Sequence, residues 1–121
     1  MEEEEDFVAV VQRFKLSTQQ LSQECSFKVM LKLSTNLDRW RNIAPYLLDE
    51  KSTSVVDEIN QNHDLDDKGK RLKLLERWKE LRKSDATYEA LIRVLLSAER
   101  RDLAEVVAET ISAGKIFNTR K

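Results

Sequence analysis

"LDRWRNIAPYL", residues 37–47, decides how the rest of the chain is read. Leu37, Trp40, Ile43, Ala44 and Leu47 recur at three- and four-residue steps, the spacing that gathers side chains on one face of a helix. Pro45 has no N–H to donate, and its ring crowds the carbonyl four residues back. The helix is therefore predicted to kink or finish near Tyr46–Leu48. The only other tryptophan, Trp78, lies in "LLERWKEL" (residues 74–81) on a second stripe of Leu74, Leu75, Trp78 and Leu81. Indoles on two inward stripes bury large area in one shared core. That reading is preferred to one in which either ring stacks on a ligand.

Composition agrees with a helical core. The 121 residues are 40% hydrophobic and 36% charged, with two glycines and one proline. Turn material is too scarce for a sandwich or barrel of short strands, and a chain this long forms a core without metal or disulfide staples. The expected class is all-α in one domain. Net charge is −1, which gives no global attraction to nucleic acid or anionic lipid. Cys25 has no partner for an internal disulfide, consistent with a reducing compartment. "MEEEEDFVAVVQRF" lacks the basic and apolar regions of a secretion signal, and no run approaches the length of a membrane span. A cytoplasmic or nuclear location is expected.

The remaining helices follow from stripes and caps. Phe7, Val10, Val11 and Phe14 form a short stripe behind five acids, which suit a helix N-terminus. This helix either packs on the domain or offers an apolar face to a partner. Packing is favoured, because two exposed Phe and two exposed Val would promote aggregation. Ser17-x-x-Gln20 is a capping-box pattern. The helix it opens carries Leu21, Cys25, Phe27, Met30, Leu31 and Leu33, a broken stripe. Thr35-x-x-Asp38 is a further capping pattern ahead of the Trp40 helix, and Thr53 or Ser54 a cap for a short helix with Val55, Val56 and Ile59. Asp66 or Asp67 is expected to cap a helix of roughly residues 67–83. Thr87 or Asp85 should cap the helix of Tyr88, Leu91, Ile92, Leu95 and Leu96. A last helix holds Leu103, Val106, Val107 and Ile111, with Gly114 as its terminator.

From Leu37 onward this order resembles the death domain, a six-helix interaction fold. Its second helix typically reads Trp-x-x-Leu-Ala-x-x-Leu, matched by Trp40, Ile43, Ala44 and Leu47. The Leu-x-x-Trp of its fourth helix is matched by Leu75 and Trp78, and "ATYEALIRVLLSAERRDLAEVV" (86–107) is similar to its fifth and sixth helices. Three features depart from the pattern: "LLDE" lacks the glycine that often follows the second helix, Pro45 is unusual inside that helix, and Phe7–Phe14 lies outside the six-helix scheme. "ERRDLAE" is also similar to the related death-effector domains. The resemblance implies a six-helix antiparallel bundle of death-fold type with an additional N-terminal helix. Residues 1–20 would be an acidic extension carrying that helix, 21–113 the bundle, and 114–121 a tail. The expected core is Trp40, Ile43, Ala44, Leu47, Ile59, Leu75, Trp78, Leu91, Leu95 and Leu103.

No catalytic set is visible, so the chain is not expected to be an enzyme, and no cofactor or metal is expected. His63 is alone in a polar loop with no nucleophile beside it, and one Cys with one His make no zinc pattern. "NHDLDD" lacks the spacing and glycine of a calcium loop. Charge is the stronger signal. Residues 49–67 hold seven acids and one base, whereas 68–83 hold eight bases and two acids. Solvated surface explains such runs equally well, since exposed ion pairs contribute little. The alternative is a domain with one acidic and one basic side, fit for head-to-tail contact. The family resemblance implies partner-binding residues: Lys70, Arg71, Lys73 and Arg77 on the basic side, and Asp38, Asp57 and Glu58 on the acidic side. It adds the turns Lys83, Ser84, Asp85 and Glu99, Arg100, Arg101. Partners would be other death-fold proteins or a second copy, in apoptotic or innate-immune signalling as an adaptor or receptor part. A nucleic-acid-binding helix over 68–83 is the competing reading, weakened because its stripe belongs to the core.

Overall fold

Segments with helix-forming sequence and a polar cap separate cleanly along the chain. The computed structural model describes residues 2–119, with side chains described for 4–112. The helices are α1 (Glu2–Phe14), the single turn α2 (Thr18–Leu21), α3 (Phe27–Ser34) and α4 (Trp40–Leu48). They continue as α5 (Ser52–Asn60), α6 (Asp67–Arg82), α7 (Tyr88–Ser97) and α8 (Arg101–Thr119). Short 3-10 turns cover Asp49–Lys51 and Lys83–Asp85. α3 to α8 form the expected six-helix bundle and α1 is the additional helix. The described residues contain no strand, only an isolated bridge between Glu24 and Thr87.

Caps were legible where a side chain reaches forward to an unbonded N–H. The Ser17 hydroxyl accepts from the Gln20 N–H at 3.1 Å while Gln20 Oε1 accepts from the Ser17 N–H at 2.8 Å. Asp66 accepts from Gly69 N–H at 2.7 Å and Thr87 from Ala90 N–H at 3.2 Å. Two expected caps fail. Thr35 instead closes α3, donating its hydroxyl to the Lys32 carbonyl, and Arg39 precedes α4 without a side-chain cap. Thr53 and Ser54 lie inside α5, because the 3-10 turn Asp49–Lys51 runs directly into it. Gly114 does not end α8, which continues to Thr119; one glycine costs a helix only about 1 kcal/mol.

Trp78 sits at the centre with no exposed surface, and Trp40 is 5% exposed. α6 contacts α3, α4 and α5; α7 contacts α8 and α4. All ten expected core residues are buried. Three residues read as inward are not: Phe27 is 53% exposed, Leu81 40%, and Leu31 is also exposed. On α3 the bundle-facing residues are Val29, Met30 and Leu33, so the break after Leu21 rotates Phe27 and Leu31 outward. α1 buries Phe7 and Val10, with Val11 and Phe14 packed at the edge, and rests on α7 and α8.

With glycine so scarce, left-handed turns fall to other residues. Lys15, Arg39, Asp49, Lys83 and Glu99 all have φ between 52° and 60°. Asp49 and Lys83 pair that φ with ψ of −124° and −123°, a conformation that disfavours any Cβ. Asp49 follows Leu48 at the end of α4, the place where the six-helix scheme carries Leu-Gly.

Candidate interaction surfaces

The buried stripe of Leu74, Leu75 and Trp78 fixes which flank of α6 faces outward. Of the four predicted basic residues there, two are engaged within the molecule. Arg71 Nη2 lies 2.6 Å from Asp67 Oδ2, and Arg71 Nη1 donates to the Ser34 carbonyl. Arg77 Nη2 approaches Glu58 Oε2 at 3.6 Å. Lys70 and Lys73 form no ion pair among the described residues. Lys73 borders a shallow hollow with Phe27, Met30, Glu76, Lys79 and Glu80, so an exposed aromatic stands beside an unpaired ammonium. Phe27 was missed as a surface residue because its spacing matched the inward stripe.

The three predicted acids face different neighbours. Asp57 lines a hollow with Arg41, Pro45, Ser52, Thr53 and Val56 between α4 and α5. Its neighbour Glu58 turns to Arg77 on α6. Asp38 lies ahead of α4 and accepts from Arg100 Nη2 at 2.6 Å. Arg100 is thereby withdrawn from the set of free turn residues: it also donates to the Asp38 carbonyl and to both oxygens of Asp102. These bonds hold the Asp38 and Asp102 carboxyls below their usual range. The hydrogen bond to Asp102, ahead of the one to Asp38, raises the affinity of Arg100 for its proton.

Lys83, Ser84 and Asp85 form the exposed 3-10 turn between α6 and α7. Immediately after it Ala86 is buried, its carbonyl accepting from Cys25 N–H at 2.8 Å. At the turn before α8, Glu99 takes φ 60°. Arg101 pairs with Glu105 at 3.1 Å and Asp6 of α1 at 3.5 Å. The extra helix thus touches the second predicted turn, a relation invisible in the sequence.

Candidate chemistry fares differently. Cys25 is fully buried, and loss of water pushes its thiol up to about 12, so a reactive thiolate does not form near neutral pH. His63 is exposed in the loop between α5 and α6. Among the described residues, no group of three or more His, Cys, Asp or Glu could hold a metal ion, and no helix is long and apolar enough to cross a membrane.

The family model for the death domain matches residues 24–111, well over half of the chain. The chain belongs to the death-domain family. Comparison with curated proteins and with solved structures finds no match. Death domains are protein–protein interaction modules of signalling, and typically associate with other death-fold domains. The matched span opens at Glu24, beside the bridge to Thr87, and closes at Ile111 on α8. It therefore takes in α3 to α7 and the first part of α8, and leaves α1 and α2 outside.

Proposed function

We propose that this death domain is a non-catalytic recruitment module, of adaptor or receptor type, acting in apoptotic or innate-immune signalling in the cytoplasm. It binds another death-fold protein or a second copy of itself through asymmetric, oppositely charged surfaces. The observation that carries this reading is the pair Lys70 and Lys73 on α6, without an ion pair among the described residues, with Lys73 bordering the same hollow as exposed Phe27. Exposed Asp49, Glu50 and Asp57 on the α4–α5 side are the complementary group. Contact between two different patches of one molecule continues from copy to copy as a ring or helical array. The charges chiefly steer encounter and set register, while Phe27 adds apolar area.

Because Arg71 and Arg77 are already engaged, the informative variant is Lys70→Glu with Lys73→Glu. Sedimentation across protein and salt concentrations should show assembly of the unmodified chain beyond a dimer that weakens with salt and is lost in the double variant. For a foreign partner, capture of purified death-fold domains should show the same loss. Association unchanged by the double reversal would remove these lysines from the docking surface. A nucleic-acid reading draws no support from this arrangement: Leu74, Leu75 and Trp78 occupy the core, and a net charge of −1 gives little electrostatic drive.

A further inference from the structure

Helix α1 lies outside the residues matched by the family, yet it is seated on α7 and α8 as a ligand would be. Its apolar anchors are Phe7 and Val10. Around them the charges alternate in complement. Glu4 accepts from Arg93, Asp6 meets Arg101 at 3.5 Å, and Arg13 donates to Glu105 at 3.1 Å. The Arg93 guanidinium also lies 3.9 Å from the centre of the Phe7 ring. Every one of these contacts joins α1 to another helix, so each could equally be made with the α1 of a neighbouring molecule.

The tether is short and strained. Only Lys15, Leu16 and Ser17 separate α1 from α2. The Leu16 N–H reaches the Val11 carbonyl at 3.0 Å and the Lys15 N–H reaches that of Gln12 at 3.3 Å. This helix-ending motif calls for a left-handed residue and usually has glycine there; here Lys15 takes φ 54°. If Lys15 and the extended Ser17 (ψ 159°) both turn helical, α1 and α2 join into one helix from Glu2 to Leu21, about 30 Å long. That straightening lifts α1 off its own bundle and points it at another. The Ser17–Gln20 capping box opposes it, since both members would then lie in mid-helix. Short connections under strain favour exchange of a terminal element between copies.

We propose that the α7–α8 face is a helix-docking site whose second occupant is the α1 of another copy, so that the chain dimerises by exchanging N-terminal helices about the Lys15–Ser17 hinge. This goes beyond recruitment through the α6 lysines and does not depend on it.

The test uses two 121-residue chains, one with Arg13→Cys and the other with Glu105→Cys, the native Cys25 being sealed in the core of each. They are mixed at millimolar concentration, equilibrated and treated with a short bis-maleimide. A mixed dimer joined through those two positions, rising with concentration, is expected. A control chain with Asp57→Cys in place of Glu105→Cys should stay unlinked. Adding Ser17→Ala should raise the dimer fraction about fivefold by removing the cap, and Lys15→Gly should lower it by settling the closed turn. Dimer formation should persist with Lys70→Glu and Lys73→Glu, which separates this idea from the recruitment surface. A chain that stays monomeric at all concentrations overturns it, as does a dimer whose links do not join positions 13 and 105.

Discussion

α6 and α1 look alike in sequence: each is dense in charge and carries a narrow apolar stripe. Their places in the structure differ sharply. α6 drives Leu74, Leu75 and Trp78 into the middle of the bundle and touches three other helices. α1 seats two residues on one side of α7 and α8 and fastens the rest with ion pairs at the surface. An apolar side chain surrounded on every side is held by packing that cannot relax piecemeal. One that rests on a face can leave while the remainder stays folded. The two helices should therefore answer differently to the same kind of damage.

Trp78→Ala is the most severe break. Removing a fully buried indole should cost about 3–5 kcal/mol, a large part of the stability of a domain of this size. Urea unfolding should shift to a much lower midpoint, or the chain should fail to fold. A loss under about 1 kcal/mol would mean that the ring is not enclosed. Phe7→Ala should cost about 2 kcal/mol, and the effect should stay local. Amide exchange would accelerate through α1, with α3 to α8 keeping their protection. Uniform acceleration across both regions would show that α1 belongs to the cooperative core after all.

Much of this contrast could be read before any coordinates. The spacing of Trp40, Ile43, Ala44 and Leu47 and of Leu74, Leu75 and Trp78 gave the bundle its core, since helical period and burial are tied directly. Caps such as Ser17, Asp66 and Thr87 were legible because their reach is local. Phe27 and Leu31 depart from the inward stripe because period alone cannot say where a helix rotates after a break, and Leu81 because period cannot say how much of the last turn of α6 its neighbours cover. The charged surfaces were least legible. Pairing of Asp38 with Arg100 or Arg77 with Glu58 depends on which helices become neighbours, and like-signed runs along the chain need not remain one patch in space.

A milder change sharpens the same contrast by acting on turns rather than packing. Asp49→Gly and Lys83→Gly should each stabilise the chain by about 1 kcal/mol, because glycine relieves a φ near 52–54° at ψ near −124°. Both turns belong to the bundle, so the gain should appear in the global unfolding midpoint. Lys15→Gly relieves the turn after α1, and its gain should appear chiefly in the exchange of α1 amides. A destabilised Asp49→Gly chain would show that the Asp49 side chain does something at that turn which outweighs the strain.

Acid supplies the gentlest separation of the two helices. The hydrogen bond from Arg93 holds the Glu4 carboxyl below its ordinary 4.5. A carboxylate with a lowered folded value contributes fully above the unfolded value, and that contribution is lost as pH falls through the folded one. α1 should thus loosen as pH falls below that ordinary value and through the lowered one. Trp78 is held by packing with no exposed surface, and protection around it should persist further into acid. The Arg100 clamp on Asp38 and Asp102 should weaken over a similar range, since both carboxyls lie below an ordinary value of 3.8. Its loss loosens the turn before α8 rather than the seat of α1. Arg93→Gln separates the two: it should flatten the acid response of α1 amides and leave that turn unchanged. If α1 in the Arg93→Gln chain still loosens over the same pH interval, the Glu4–Arg93 pair is not the source of that response and the assignment fails.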